Sequence, residues 1–387
     1  MKSDIFLYLV IGLGEFLEKQ NRRYPYPDTL HYSLNSLSLA LLSDYPKTTD
    51  GIIKLFVRPL RDWWPDELPL GFEPDEPLIE DNELSFEAMT YLENLSEQES
   101  LSFQDSLSRI RVIVDNRKFR QLLENLRDKF ITDPNGAQED YVTLRRFIIE
   151  HPYALQRDIS QVFSQTQYIS STEISELYLK TNQIADVLQY LDSDGGKLFW
   201  LCEHCGPLYI KYGKRESIKP TVCGKHCPRH RGGWKGVTPS NQLNVLRKGI
   251  HLRVHLPGIP ELALFNWVEE NRQKYPQLLK DVLLWPRIDM YDLQIRFADS
   301  IWAVDIKDYE KPHQLGRNLT NLFCEGDLHW DKSFYVYPAY REKQYQNYGE
   351  VVRLEASPNL KGIEILSDEA FKNRVERKLK SLKKGNL

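Results

Sequence analysis

The stretch that decides the fold is 285–307, which reads WPRIDMYDLQIRFADSIWAVDIK. After Asp292, apolar and polar residues alternate as far as Phe297, which is typical of a β-strand with one buried face. A short turn, Ala-Asp-Ser, separates this run from a continuously apolar one that ends at Asp305. A continuous apolar run indicates a strand buried on both faces. The sequence therefore predicts a β-hairpin whose second strand lies inside a sheet.

The predicted hairpin brings two acids and a lysine together. Side chains along a strand alternate with a period of two, so Asp305 and Lys307 project from one face, and the hairpin places Asp292 beside them. Burying such charges without partners costs free energy. Mg²⁺ binds carboxylate oxygens and water, and a nearby lysine orients or deprotonates an attacking water. The group therefore predicts metal-assisted hydrolysis of a phosphodiester.

This hairpin resembles the core of the PD-(D/E)XK nucleases, which have the restriction-endonuclease fold, over roughly residues 245–370. The resemblance implies that Asp292 is the first acid and that Asp305 and Lys307 form the D-x-K element. It implies a catalytic Mg²⁺ (or Mn²⁺) held by the two acids, with the carbonyl of Ile306 as a further ligand. The proline that these nucleases carry beside the first acid is displaced, since Pro286 lies six residues upstream.

The same family places a glutamate on a helix before the hairpin, and Glu261 in PELALFNWVEEN matches it, so the resemblance implies that Glu261 is a catalytic residue that assists with the metal or the water. Pro260 predicts the start of that helix. Two later acids, Glu269 and Glu270, match less well because they lie nearer to the helix end. One of three polar residues after the D-x-K element is expected to face the site: Gln314, Lys311 or Arg317.

A bare D/E-x-K pattern has little specificity. It recurs at 376–378 within a charged, helix-like tail, where it is typical of a solvated face. The alternative for the copy at Asp305 is a hairpin in which Asp305 and Lys307 form only a salt bridge at the rim of the sheet.

Four cysteines lie in one short window: Cys202, Cys205, Cys223 and Cys227. Zinc prefers four soft ligands delivered as two close pairs, and Gly206 suits the tight turn after the first pair. We expect a structural zinc ribbon here, the alternative being reduced cysteines without a metal. Three histidines are spare candidate ligands, of which the last two are alternatives to Cys227: His204, His226 and His230.

Basic and aromatic residues surround the cysteines. Basic side chains attract phosphates and aromatic faces stack on bases, so this segment predicts a nucleic-acid contact, the alternative being a solvated face. The residues concerned are Tyr209, Lys211, Tyr212, Lys214, Arg215, Lys219, Lys225, Arg229, Arg231, Trp234 and Lys235. Downstream, His251, Arg253 and His255 alternate on a predicted strand, where they contact DNA or are half-buried.

Composition limits the class of protein. The chain has 387 residues, of which 41% are hydrophobic and 27% charged, values that exclude wholesale disorder and a fibrous architecture. The formal net charge of −4 excludes a uniformly basic coating protein, so a nucleic-acid surface must be a local patch. The apolar run 5–13 is too short to span a bilayer and is not followed by a cleavage site. We expect a cytosolic protein.

The predicted fold class is a multidomain α+β protein with a mostly helical N-terminal half, a zinc ribbon and a C-terminal α/β restriction-endonuclease-like domain. The expected domains are a mixed helical region 1–100, a helical domain 101–196, the zinc ribbon 197–240 and the nuclease domain 245–387. The second domain is either a winged helix or a helical bundle.

Three local elements follow from the sequence of the first two domains. The acidic, proline-rich segment 63–83 is expected to be a solvated connector, with an acidic docking segment as the alternative. A helix is expected at 183–191, capped by Asn182, and a strand at 197–201.

The chain as a whole resembles the nuclease component of prokaryotic Piwi–RE gene islands, which pair a Piwi-like protein and a helicase with a restriction-endonuclease-fold protein. The resemblance implies an Mg²⁺-dependent endonuclease acting on DNA, or on RNA or an RNA–DNA hybrid, in defence against phage or plasmid. Cutting both strands would need two sites, so a homodimer is expected. The alternatives are a non-catalytic zinc-containing subunit with a decayed nuclease fold, and a winged-helix, zinc-ribbon transcription regulator.

Overall fold

A computed structural model describes residues 3–18, 26–41, 48–69, 72–96, 104–181, 189–191, 197–202, 205–207, 234–358, 360 and 362–385. The chain divides into two compact units, Met1–Lys118 and Phe119–Leu387. Within the described ranges, no helix is long and apolar enough to cross a membrane. The finer division into a helical domain, a ribbon and a nuclease domain stays a prediction.

The first unit is mainly helical. Its elements are α1 (Ser3–Leu17), α2 (Asp28–Leu41), α3 (Thr49–Phe56), a 3₁₀ turn (Leu60–Asp62), β1 (Ile79–Glu80), β2 (Glu83–Leu84), α4 (Phe86–Ser96) and the first part of α5 (Gln104–Thr132). Helix α1 is apolar around most of its circumference and is buried accordingly. Gly12 permits close packing of α1 on α2, since a Cβ there would lie 2.3 Å from the backbone nitrogen of Leu30.

The described residues of the acidic segment 63–83 form no α-helix, as predicted, but the segment is not a solvated connector. Phe72, Leu78 and Ile79 are buried in the same hydrophobic cluster as α1, and so is Trp63. The apolar residues between the prolines anchor the segment to the core of the first unit, while its acids other than the partly buried Glu76 stay exposed.

The second unit begins within α5. Its further helical elements are α6 (Pro134–Glu150), α7 (Gln156–Phe163), α8 (Ser171–Glu176), α9 (Lys248–Ile250), a π-helical turn (His251–His255), α10 (Leu256–Lys274), α11 (Pro312–Asn318), a 3₁₀ turn (Gly326–Leu328), α12 (Tyr340–Gln344), α13 (Tyr348–Glu355) and α14 (Asp368–Gly385). Its strands are β3 (Tyr153–Leu155), β4 (Tyr178–Lys180), β5 (Gln189–Leu191), β6 (Lys197–Cys202), β7 (Gly206–Pro207), β8 (Trp234–Val237), β9 (Leu243–Leu246), β10 (Leu279–Leu284), β11 (Leu293–Phe297), β12 (Ile301–Ile306), β13 (Lys332–Tyr337) and β14 (Ile363–Ser367).

Two small sheets follow α6. Strands β3, β9 and β4 form an antiparallel sheet in that order, and α7 and α8 lie between β3 and β4 in the chain. This succession is compatible with the winged-helix interpretation, with β9 rather than the predicted strand 197–201 completing the sheet. Strands β5 and β8 both pair with β6, which covers the predicted strand 197–201. The helix expected at 183–191 is wrong at 189–191, which form β5, and 182–188 lie outside the described residues.

The main sheet has the order β10-β11-β12-β13-β14. The first three strands are antiparallel, and β13 and β14 continue parallel to β12. The predicted hairpin is therefore present as β11 and β12, and β12 is a central strand. One face of the sheet buries Trp302 and Val304 with residues of α10 and α14. The other face buries Ala303 and Tyr335 with residues of α11 and α13.

The segment HLRVH does not form the predicted strand. Residues 251–255 form a π-helical turn that continues into α10, so Pro260 lies inside this helix rather than at its start. The backbone N–H of Leu256 donates to the carbonyl of His251, five residues back. The physical reason is burial at helical spacing, because His251 and His255 stack with 5.1 Å between ring centroids and are both fully buried.

Candidate active site

The end of the hairpin brings two acids together across adjacent strands. Leu293 pairs with Val304, and extending this register by one residue sets Asp292 opposite Asp305. The two side chains are buried, with exposures of 3% and 7%. Asp292 Oδ2 accepts the backbone N–H of Ile306 at 2.5 Å. The carboxylate of Asp292 thus links the two strands at the open end of the hairpin, away from its turn.

Lys307 completes this group. Its Nζ donates to Asp305 Oδ1 at 2.9 Å, and the lysine is partly exposed whereas Asp305 is buried. Burial by itself would lower the pKa of Lys307, but the neighbouring carboxylates of Asp305 and Asp292 outweigh it and raise that pKa above its ordinary value. Lys307 is therefore a cation at neutral pH, suited to contact phosphate oxygens.

The acids repel one another. Burial, followed by the charges of Glu261 and Asp305, raises the pKa of Asp292 well above its ordinary value. Burial and neighbouring negative charge both disfavour the ionised form of a carboxyl group, and a nearby cation favours it. Such a site gains from an added cation.

Glu261 lies on α10, where the sequence places it, and its carboxylate is already held by hydrogen bonds. Arg145 Nη2 donates to both oxygens, at 3.0 Å to Oε1 and 2.8 Å to Oε2, and Trp285 Nε1 donates to Oε2 at 2.7 Å. Burial is the largest influence and raises the pKa of Glu261 to about 7, although Arg145 opposes the rise.

Arg145 of α6 is the residue of this site that sequence reasoning missed. Its Nη1 donates to Tyr141 at 2.8 Å and ion-pairs with Asp289, while its guanidinium lies 4.7 Å from the centroid of the Trp285 ring. Arg145 precedes Glu261 by 116 residues. No local pattern signals a contact over such a separation.

The segment before the first acid is a left-handed turn. Trp285, Arg287, Ile288 and Asp289 have φ values of 45°, 48°, 54° and 72°. Non-glycine residues adopt this region at a cost, and they cluster at functional sites when their surroundings hold them there. Gln138 of α6 supplies that support, since its Nε2 donates to the carbonyl of Trp285 at 3.0 Å and its Oε1 accepts the N–H of Ile288 at 3.1 Å. The displaced Pro286 lies within this turn.

The acid pair at the hairpin end fits Mg²⁺. The described part of the chain contains no group of three or more His, Cys, Asp or Glu side chains arranged to hold a metal. Mg²⁺ does not need one, because it is commonly bound through one or two carboxylates, its own waters and substrate phosphates. Asp292 and Asp305 supply such a pair, and a cation beside them would offset the burial and the neighbouring negative charge that raise the pKa of Asp292. The carboxylate of Glu261 is held by Arg145 and Trp285, and its predicted part in assisting with the metal or the water stays a prediction.

Two of the four cysteines of the predicted zinc site belong to the described residues. Cys202 and Cys205 are buried, and the N–H of Cys205 donates to Cys202 Sγ at 3.3 Å. Gly206 follows with a φ of 78°, which favours glycine, and the carbonyl of Cys205 is bonded to His251 Nε2. The remaining candidate ligands lie outside the described residues: Cys223, Cys227, His204, His226 and His230. The zinc ribbon stays a prediction.

The other predicted contacts are dispersed. Arg317 ion-pairs with Glu355 at 2.9 Å, and both Lys311 and Gln314 are exposed on or beside α11. Of the basic and aromatic segment around the cysteines, only Trp234 and Lys235 belong to the part that the structure describes.

Two family models match the chain. Residues 258–383 match the model described as "REase associating with pPIWI_RE". This range includes the hairpin, both acids and Lys307. Residues 9–154, a range that includes Arg145, match the model described as "pPIWI_RE three-gene island domain Y". No curated protein and no solved structure matches the chain. The two matches confirm the predicted resemblance: the chain belongs to the proteins of the pPIWI_RE three-gene island and carries their restriction-endonuclease-associated domain.

Proposed function

We propose that the protein is an Mg²⁺- or Mn²⁺-dependent endonuclease that hydrolyses phosphodiester bonds of DNA in a prokaryotic defence against phage or plasmid. The observation that carries this proposal is the cross-strand pair of buried acids, Asp292 and Asp305, with Lys307 bonded to the second acid. The restriction-endonuclease-associated family of residues 258–383 supports the reaction class, and the island supports the role in defence.

In this proposal, each side chain has a distinct task. Asp292 and Asp305 hold the cation, and the carbonyl of Ile306 is a further ligand. A bound Mg²⁺ would polarise the scissile phosphate and lower the pKa of a coordinated water. Lys307 contacts a phosphate oxygen and orients the attacking water. Asp292 also fixes the backbone of Ile306 and so the spacing between itself and the D-x-K element. Glu261 supports the arrangement from α10 rather than binding the metal.

The wider assembly is also a proposal. We infer that a Piwi-like protein and a helicase act with this chain, because the chain matches families of the pPIWI_RE island. Two copies of the chain would be needed to cut both strands of a duplex at one place. Cys202 and Cys205, with Cys223 and Cys227, would hold a structural zinc, a prediction that the metal content of the purified protein tests directly.

The proposed activity is tested by incubating the protein with supercoiled plasmid, single-stranded DNA and an RNA–DNA hybrid in Mg²⁺, in Mn²⁺ and in EDTA. The variants are Asp305→Asn and Lys307→Met. The matched control is Asp299→Asn, because Asp299 is an exposed acid in the turn at the other end of the same hairpin. Mn²⁺ binding is titrated for each protein in parallel.

Cleavage by the wild type and the control, with a loss of about 100-fold or more in Asp305→Asn, supports the nuclease. Mn²⁺ binding that depends on Asp305 without cleavage, followed by cleavage once the island partners are added, also supports it. A chain that neither cuts nor binds Mn²⁺ through Asp305 contradicts the proposal and favours a non-catalytic, nucleic-acid-binding subunit.

A further inference from the structure

The helix α6 packs antiparallel against α10 at two places, one turn apart. Gly258 of α10 lies against Ile149 of α6 so closely that a Cβ at Gly258 would be 2.2 Å from Ile149 Cδ1. One turn away, towards the N-terminus of α6 and the C-terminus of α10, Arg145 donates a hydrogen bond to Glu261. The close approach at the glycine is what brings the guanidinium within reach of the glutamate.

Arg145 lies at the centre of the acids of the candidate site. It donates to Glu261, ion-pairs with Asp289, and its Nη2 is 3.9 Å from Asp292 Oδ1. The arginine is buried, with an exposure of 8%, and packs on the face of Trp285. The positive charge of Arg145 therefore interacts with the acids in a poorly hydrated environment, where Coulomb interactions are strong.

The charges of the group do not balance. Four carboxylates, those of Glu261, Asp289, Asp292 and Asp305, face two cations, Arg145 and Lys307. One of those cations comes from the region that matches domain Y, and the carboxylates all come from the region that matches the restriction-endonuclease model. The two matched regions thus share one site.

We propose that Arg145 is a counter-cation built into the nuclease site, which holds Glu261 and Asp289 while no metal is bound and weakens the binding of a divalent cation by Asp292 and Asp305. The inference rests on the proposed function, since it needs the acid pair to bind a metal. It makes Arg145 a positioning residue that sets the metal affinity, and it makes the nuclease half of the chain dependent on α6. A partner that moved α6 would change the metal affinity of the site.

The test is a titration of Mn²⁺ into full-length wild type, Arg145→Met and Arg145→Lys in the absence of nucleic acid. Loss of the positive charge is expected to tighten Mn²⁺ binding by about tenfold or more. Arg145→Lys keeps the charge but not the geometry of the Glu261 and Trp285 contacts, and is expected to tighten Mn²⁺ binding less than Arg145→Met does. A merely structural role for Arg145 predicts weaker or unchanged binding in Arg145→Met.

Removing Arg145 alone leaves buried acids without a partner, which destabilises the fold. A second pair of variants therefore tests the inference with one of these acids already neutralised. Glu261→Gln and the double variant Arg145→Met/Glu261→Gln both lack the carboxylate to which Arg145 donates two hydrogen bonds. The double variant is expected to bind Mn²⁺ about tenfold more tightly than Glu261→Gln. Equal affinities in this pair would overturn the inference.

The failure of the inference can be told apart from the failure of the proposed function. Asp305-dependent Mn²⁺ binding in the wild type that does not tighten on loss of Arg145 overturns the inference and leaves the nuclease proposal standing. Binding that appears only when Arg145 is removed supports the inference. No Asp305-dependent binding in any of the proteins overturns both.

Discussion

Asp292 Oδ2 accepts the backbone N–H of Ile306 at 2.5 Å, so the first acid of the candidate site also holds the strand that carries the second acid and the lysine. The side chain therefore has a structural task in addition to its proposed metal-binding task. Substitutions that keep the hydrogen-bond acceptor while removing the charge separate the two.

We expect Asp292→Ala to lower the free energy of unfolding by about 1–3 kcal/mol, because it leaves the buried N–H of Ile306 without this acceptor. Asp292→Asn retains a carbonyl acceptor and is expected to lose less. Both variants are expected to bind Mn²⁺ at least about tenfold more weakly, since both lose the carboxylate charge. Urea unfolding in EDTA and Mn²⁺ titration measure the two effects. Equal destabilisation by the two substitutions would show that the hydrogen bond is not the source.

Trp285→Phe is expected to destabilise the protein more than Trp302→Phe. Both substitutions shrink a buried indole, but Trp285 Nε1 donates to Glu261 at 2.7 Å, whereas Trp302 Nε1 has no hydrogen-bond partner among the described residues. The difference between the two variants in the free energy of unfolding should be about 1–3 kcal/mol, the value of a hydrogen bond to a buried charged group. Similar losses would mean that Glu261 does not depend on this donor.

Stability in EDTA is expected to fall as the pH rises from about 5 to about 7.5. The pKa of Glu261 is raised by burial from its ordinary value of 4.5 to about 7, so the folded state retains a proton that the unfolded chain releases in this window. The raised pKa of Asp292 acts in the same direction. The pKa of Lys307 is raised because the neighbouring carboxylates favour its charged form. The stability that this pairing adds is lost only at alkaline pH, above this pH range. Urea midpoints across the range measure the slope, and Glu261→Gln should reduce it. A slope unchanged by Glu261→Gln would contradict the assignment.

Gly258→Ala is expected to lower the free energy of unfolding by about 1–3 kcal/mol, because its Cβ would overlap the side chain of Ile149. The three nearest atoms to that Cβ all belong to Ile149 and are removed by Ile149→Ala. The double variant should therefore lose less stability than the sum of the two single variants. Additive losses would show that the close approach of α6 to α10 does not depend on this contact.

The sequence predicted the parts of the site that local pattern specifies. Alternation after Asp292 and the apolar run before Asp305 identified the hairpin, and the helix carrying Glu261 was recognised from its position before the hairpin. Residues contributed by α6 were not predicted. Arg145 and Gln138 reach the site across more than one hundred residues of sequence, through packing that no periodicity records.

Two local predictions were overridden by tertiary packing. The alternation of His251, Arg253 and His255 is equally compatible with a helix, because the two histidines are also one helical turn apart, and their stacking in the core decides for the helix. The left-handed turn at Trp285 was not predicted either, because it contains no glycine. Two hydrogen bonds of the Gln138 side chain hold the backbone of this turn.

The central claim is that Asp292 and Asp305 form a divalent-cation site at the end of the hairpin. Electron paramagnetic resonance of free Mn²⁺, with full-length wild type, Asp305→Asn and Asp299→Asn, tests this most directly and needs no island partner. We expect Mn²⁺ binding in the wild type and in Asp299→Asn that is weakened at least about tenfold in Asp305→Asn. Equal Mn²⁺ binding by wild type and Asp305→Asn would contradict it.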